Sequence, residues 1–139
     1  MSQWVAVNFL SQFGTAWNKH DVDGIVLMMT PDAVMFMSAG SSADGRRVNG
    51  RSELRAAIAD RFAAMPDAQW RNASHFVAGD RGVSQWTYTA TRSDDSKIET
   101  VGCDVFSFRD GRIAVKDSYR SSPRSNLRTV PVPTSSRRR

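Results

Sequence analysis

The spacing of apolar residues divides the chain into a helical first half and a strand-like second half. Val5, Phe9, Phe13, Ala16 and Trp17 recur every three or four positions, so they share one face of a helix from about Val5 to Lys19. His20 to Gly24 interrupts that pattern, and Asp21 is placed to cap a short second helix carrying Val22, Ile25, Val26, Met28 and Met29. Thr30-Pro31-Asp32 reads as the end of that helix and a turn, and Ala33 to Ser38 as an apolar strand. A loop rich in Gly, Ser and Asp follows from Ala39 to Asp44, with Gly45 and Gly50 extending the irregular stretch; Gly40 to Gly50 reads as a mobile flap at a pocket mouth. Ser52-Glu53 opens a third helix with Leu54, Ile58, Phe62 and Met65 on one face, and Pro66 stops it.

Beyond Pro66 the chain reads as strands, punctuated by turn signals at Gly79-Asp80-Arg81-Gly82, Ser93-Asp94-Asp95 and Arg109-Asp110-Gly111-Arg112. Four antiparallel strands are expected, at about Gln69–Ala78, Val83–Arg92, Lys97–Phe108 and Ile113–Arg120. Residues 121–139 hold three prolines, several serines and five arginines, the composition of a flexible basic tail. Three amphipathic helices and a four-stranded meander predict an α+β fold, with helices packed on one face of an antiparallel sheet in a single domain over residues 1–120.

A formal charge of +5 raises the question of nucleic acid, and the position of the charge answers it. Residues 1–120 carry fourteen acids and fourteen Lys or Arg residues and sum to zero, so the excess sits in Arg124, Arg128, Arg137, Arg138 and Arg139. A neutral body with a basic tail argues against a specific nucleic-acid face. Cys103 is the sole cysteine, which allows no internal disulfide and suits a reducing compartment, the cytoplasm. No apolar run approaches the ~20 residues of a membrane span, and the opening MSQWVAVNFLSQF lacks the basic start of a secretory signal.

Three segments carry a resemblance: Trp17-Asn18-Lys19-His20-Asp21-Val22-Asp23-Gly24-Ile25-Val26 with Thr30-Pro31-Asp32-Ala33-Val34, then Gly50-Arg51-Ser52-Glu53-Leu54-Arg55, then Gly102 to Ile113. In that order and spacing they resemble the nuclear-transport-factor-2-like superfamily, which includes the SnoaL-like polyketide cyclases and the ketosteroid isomerases. The match covers roughly residues 5 to 120. It implies a cystatin-like cone of three helices on a curved antiparallel sheet around an internal pocket, and commonly a homodimer through the outer sheet face. Members isomerise, cyclise, dehydrate or hydrolyse, and others only bind or scaffold. Of the three ketosteroid isomerase groups, the tyrosine falls on Phe13 and the general-base aspartate on Met37, neither able to do that work. Only the second acid is matched, at Asp104.

Asp104 alternates with Phe106 and Phe108 on one strand face, and burial among aromatics would raise its pKa toward use as a neutral donor or a base. The competing reading pairs it with Lys116 or an arginine across the hairpin. A three-residue turn with a bulge puts Lys116 opposite Asp104, whereas a two-residue Asp110-Gly111 turn puts Asp117 there and makes an acid–base pair of like charges. His75 is a candidate proton shuttle and Tyr88 a candidate orienting hydroxyl, while Trp17, Met28, Met35, Met37, Phe62, Trp86, Phe106, Lys116 and Tyr119 are candidate lining. His20 reads as structural. No metal spacing, phosphate loop or nucleophile motif is present, so any chemistry expected is cofactor-free proton transfer. Two functions follow: an isomerase, cyclase or dehydratase acting on a small hydrophobic carbonyl or hydroxyl compound through Asp104, His75 or Asp117, or a non-catalytic ligand-binding or dimeric scaffold domain.

Overall fold

In the computed structural model, which describes residues 5–37 and 46–121, the helical stripe of the first segment becomes α1 (Val7–Asn18) and buries Leu10, Phe13 and Trp17. α2 (Val22–Leu27) starts where the Asp21 carboxylate accepts the Gly24 N–H at 3.0 Å. The chain then enters β1 (Met29–Met37) and β2 (Arg46–Asn49) before α3 (Gly50–Ala64). Glu53 in the first turn of α3 reaches back to the Asn49 N–H at 3.2 Å, satisfying one of the donors a helix start leaves open. β3 (Gln69–Ala78), β4 (Arg81–Thr91), β5 (Lys97–Arg109) and β6 (Arg112–Arg120) follow among the described residues, within a residue or two of the expected strands.

The six strands form one sheet in the order β2-β1-β6-β5-β4-β3, with the three helices packed on it. The expected meander is its antiparallel part; β1 joins β6 in parallel, and β2 pairs antiparallel with β1. Two expectations are corrected here. Thr30-Pro31-Asp32 does not turn the chain but lies inside β1, where the β1–β6 register breaks between Met29 and Val34, as a proline without an N–H requires. Residues 46–50 of the expected flap are β2 and the start of α3; its remaining residues, like the tail from residue 122, lie outside the described residues.

Leu10, Phe13 and Trp17 meet Ile25, Val26, Leu54, Ile58 and Phe62 over Met35, Phe106 and Phe108 in the main core. A smaller cluster of Ala68, Trp86, Tyr88, Ala90 and Ile98 fills the far end of the sheet. Trp70 touches both, with its ring 5.2 Å from Trp17 and 5.1 Å from Tyr88. Asn18 fastens α1 to β3: its side-chain amide donates to the Trp70 carbonyl at 3.0 Å and its side-chain oxygen accepts the Trp70 N–H at 2.7 Å. His20 is structural as expected, bonded to the Ala68 carbonyl at 2.8 Å and stacked on Phe62.

Two bulges set which side chains face the helices. In β3 the register against β4 shifts between Arg71 and Ser74, at Asn72 with φ of 55°. Asn tolerates this left-handed geometry better than most residues. Trp70, before the shift, and His75, after it, then face the same side although an odd number of positions separates them. In β6 the turn is two residues, Asp110-Gly111, both with positive φ, and Ala114 is the extra residue between the pairs Phe108–Ile113 and Ser107–Val115.

Candidate active site

The Ala114 bulge decides the register that the sequence left open, and it chooses neither alternative: Asp104 lies opposite Ser118. His75, Ser84, Asp104 and Ser118 thus form one cross-strand row over β3, β4, β5 and β6. The Asp104 side chain is buried and held by three donors. Ser118 donates from its hydroxyl to Oδ1 at 2.6 Å, the Lys116 ammonium lies 3.2 Å from the same oxygen, and Trp86 Nε1 donates to Oδ2 at 3.0 Å. Lys116 also donates to Ser118 at 2.8 Å and sits 4.6 Å from the centre of the Trp17 ring. Burial pushes the Lys116 ammonium below its ordinary value, and the Asp104 charge opposes that.

This carboxylate is also part of a cavity of about 520 Å³ between α1 and the sheet, with Trp17, Trp70, His75, Trp86 and Phe106 in its wall. That volume suits a small organic molecule. His75 Nδ1 lies 2.7 Å from Ser84 Oγ, and its Nε2 forms no hydrogen bond among the described residues. Burial lowers the His75 pKa from the usual histidine value, with the Asp104 charge acting in the opposite sense. The neutral ring is therefore favoured near neutral pH, and in the tautomer that donates from Nδ1 to Ser84 its Nε2 lone pair is open to a proton. The Trp17 N–H is buried with no hydrogen-bond partner among the described residues.

The candidate residues therefore separate into groups. Asp104, His75, Trp17, Trp86 and Phe106 meet at this cavity. Met35, Met37 and Lys116 border a narrow void of about 20 Å³ next to it, and Tyr88 lines a second cavity. Asp117 and Tyr119 do not belong to the site: Asp117 is opposite Val105, the Tyr119 hydroxyl donates to Asp117 at 2.8 Å, and both lie on the outer sheet face because the bulge turned their neighbours inward. Met28 caps α2 against the core, and Phe62 packs edge-on against Trp17 in core filling; neither lines a described cavity. Ser84, Ser118 and Asn18 were missed, since small polar residues on a strand or helix end carry no periodic signal. The shared face of Lys116, Ser118 and Arg120 was the available hint. Among the described residues no cluster of His, Cys, Asp or Glu could hold a metal. No described helix is long and apolar enough to cross a membrane.

Helices laid on one sheet face, with a charged and aromatic cavity between the layers, define an α+β cone of the nuclear-transport-factor-2-like class. Within that class the chain belongs to the SnoaL-like domain family, whose model matches residues 10–116. Solved structures similar to it include a candidate polyketide cyclase from Xanthomonas campestris pv. campestris, 16% identical, with a TM-score of 0.72 over 81% of this chain and 87% of that one. A candidate isomerase from Bacillus subtilis is 15% identical, with a TM-score of 0.70 over 84% and 86% of the two chains. A protein with a ketosteroid isomerase-like fold from Catenulispora acidiphila, in complex with trimethylamine, is 14% identical, with a TM-score of 0.71 over 83% and 86%. No curated protein gives a significant sequence match.

Proposed function

We propose that this domain is an isomerase, cyclase or dehydratase that moves a proton on a small hydrophobic carbonyl or hydroxyl compound without a cofactor. The observation that carries the reading is the meeting of His75 and Asp104 at one cavity of about 520 Å³. The apolar body of the substrate lies among Trp17, Trp70, Trp86 and Phe106. His75 takes a proton from the substrate at Nε2 and becomes an imidazolium, which the Asp104 carboxylate stabilises at a distance. The proton returns to a different substrate atom in isomerisation, or to a departing hydroxyl in dehydration. The Asp104 carboxylate is held in place for this by Trp86, Ser118 and Lys116.

His75→Gln tests the role with little risk to the fold, because His75 is half-buried on an edge strand. Its expected effect is a fall in kcat of roughly 10²- to 10⁴-fold with KM little changed. An unchanged kcat overturns the assignment. A second reading, a non-catalytic ligand-binding domain, draws support from the same three donors, since an acid so fully engaged resembles a satisfied structural pair. It predicts that a bound compound is recovered chemically unaltered.

Exposed Phe76, Val101 and Tyr119, at 62%, 52% and 54% exposure, lie on the sheet face away from the helices and support a homodimer through that face. The lone Cys103 supports a cytoplasmic place of action.

A further inference from the structure

The second cavity, about 330 Å³, lies at the other end of the inner sheet face between α3 and the ends of β1, β5 and β6. Arg46, Arg61 and Arg120 line it, with Asp60 as its one acid. The Arg120 guanidinium lies 4.5 Å and that of Arg61 5.7 Å from the centre of the Tyr88 ring, so one aromatic side chain gathers two cations. Neither forms an ion pair among the described residues, although Asp23, Asp32, Asp104 and Asp110 all do. Arg120 Nη1 is buried with no hydrogen-bond partner among the described residues. Two converging guanidiniums with no ion-paired carboxylate among the described residues cost stability through desolvation and mutual repulsion. Burial depresses the Arg61 pKa, and Arg120 depresses it further against the opposing influence of Tyr88 and Asp104.

From this we infer that the second cavity is a binding site for an organic acid whose carboxylate sits between Arg61 and Arg120. The rest of the wall selects the body of that acid. Met37, Met65 and Ile98 offer an apolar surface to an aromatic or aliphatic group, while a planar guanidinium matches the two oxygens of a carboxylate. A bare inorganic anion would leave that apolar part of the wall unused. The site shares no lining residue with the cavity of His75 and Asp104, and the inference holds whether or not that cavity performs chemistry.

The test is calorimetric titration and thermal unfolding of the full chain with benzoate, phenylacetate and octanoate, and with benzamide and inorganic phosphate as comparisons. Arg120→Met is the variant, because replacing an unpaired cation by an apolar chain of similar length should leave the ligand-free protein as stable as before or more so. At least one of the three acids should bind and raise the Tm, with benzamide and phosphate at least roughly tenfold weaker, and Arg120→Met should lose at least roughly tenfold in affinity for that acid. Failure of all three acids to bind, equal binding of benzamide or phosphate, or undiminished binding by Arg120→Met would each overturn the inference.

Discussion

Removing the carboxylate of Asp104 would leave the buried Lys116 ammonium with only the Ser118 hydroxyl and the Trp17 ring to meet it. Asp104→Asn is therefore expected to cost about 3–5 kcal/mol, read from urea unfolding, and a second change of Lys116→Met should recover much of that loss. His75 acts on stability through pH. Its proton affinity in the folded chain lies below the usual value of 6.5, so the unfolded chain binds the proton first as pH falls. The penalty is absent well above that value, grows as pH drops through it, and is complete below the folded value. Unfolding measured at about pH 7.5 and pH 5.5 should show a smaller acid loss for His75→Gln than for the wild type. If His75 is the base, kcat/KM should fall on the same acid side. At this scale part of the site was legible: period-two alternation put Asp104 beside Phe106, and one of the two readings of that acid paired it with Lys116 or an arginine. The hydroxyls of Ser84 and Ser118 were not legible, because their roles depend on which residue lies across the strand.

That dependence belongs to the elements. A hairpin without the extra Ala114 would put Asp117 opposite Asp104 and turn Lys116 and Ser118 outward. Deleting Ala114 should therefore lower the urea midpoint at least as far as Asp104→Asn does, because the ion pair is lost and a second acid arrives. Turns, helix faces and strand lengths were readable because each is local: Asp110-Gly111 and Asp21 announce themselves within a few residues. The bulges at Asn72 and Ala114 were not, since a single inserted residue changes neither composition nor period enough to be seen. Both lie beside the site and re-aim His75, Lys116 and Ser118, which is why the fold was easier to read than its chemistry. The clasp between α1 and β3 is another non-local feature. Asn18→Ala should cost about 1–3 kcal/mol in unfolding measurements by leaving the Trp70 backbone unpaired, and should weaken ligand binding in the cavity beside it.

For the whole molecule, the parallel pairing of β1 with β6 closes the chain's early and late segments into one sheet. Nothing between Ala33 and Met37 forecasts a partner some eighty residues later, so sequence patterning yielded the layers but not this closure. The opposite sheet face carries the proposed subunit contact, and Val101→Asp should convert a dimer to a monomer in sedimentation experiments without disturbing the cavity, since Val101 points away from it. The cavity itself has a consequence for observation. Trp17, Trp70 and Trp86 stand in its wall, one against the Lys116 ammonium and another bonded to the Asp104 carboxylate. Indole emission responds to nearby charge and to displaced water, so a molecule settling there should change the colour and intensity of the protein's own fluorescence. The domain thus carries a built-in optical reporter of occupancy, usable in screening compounds before any reaction is known.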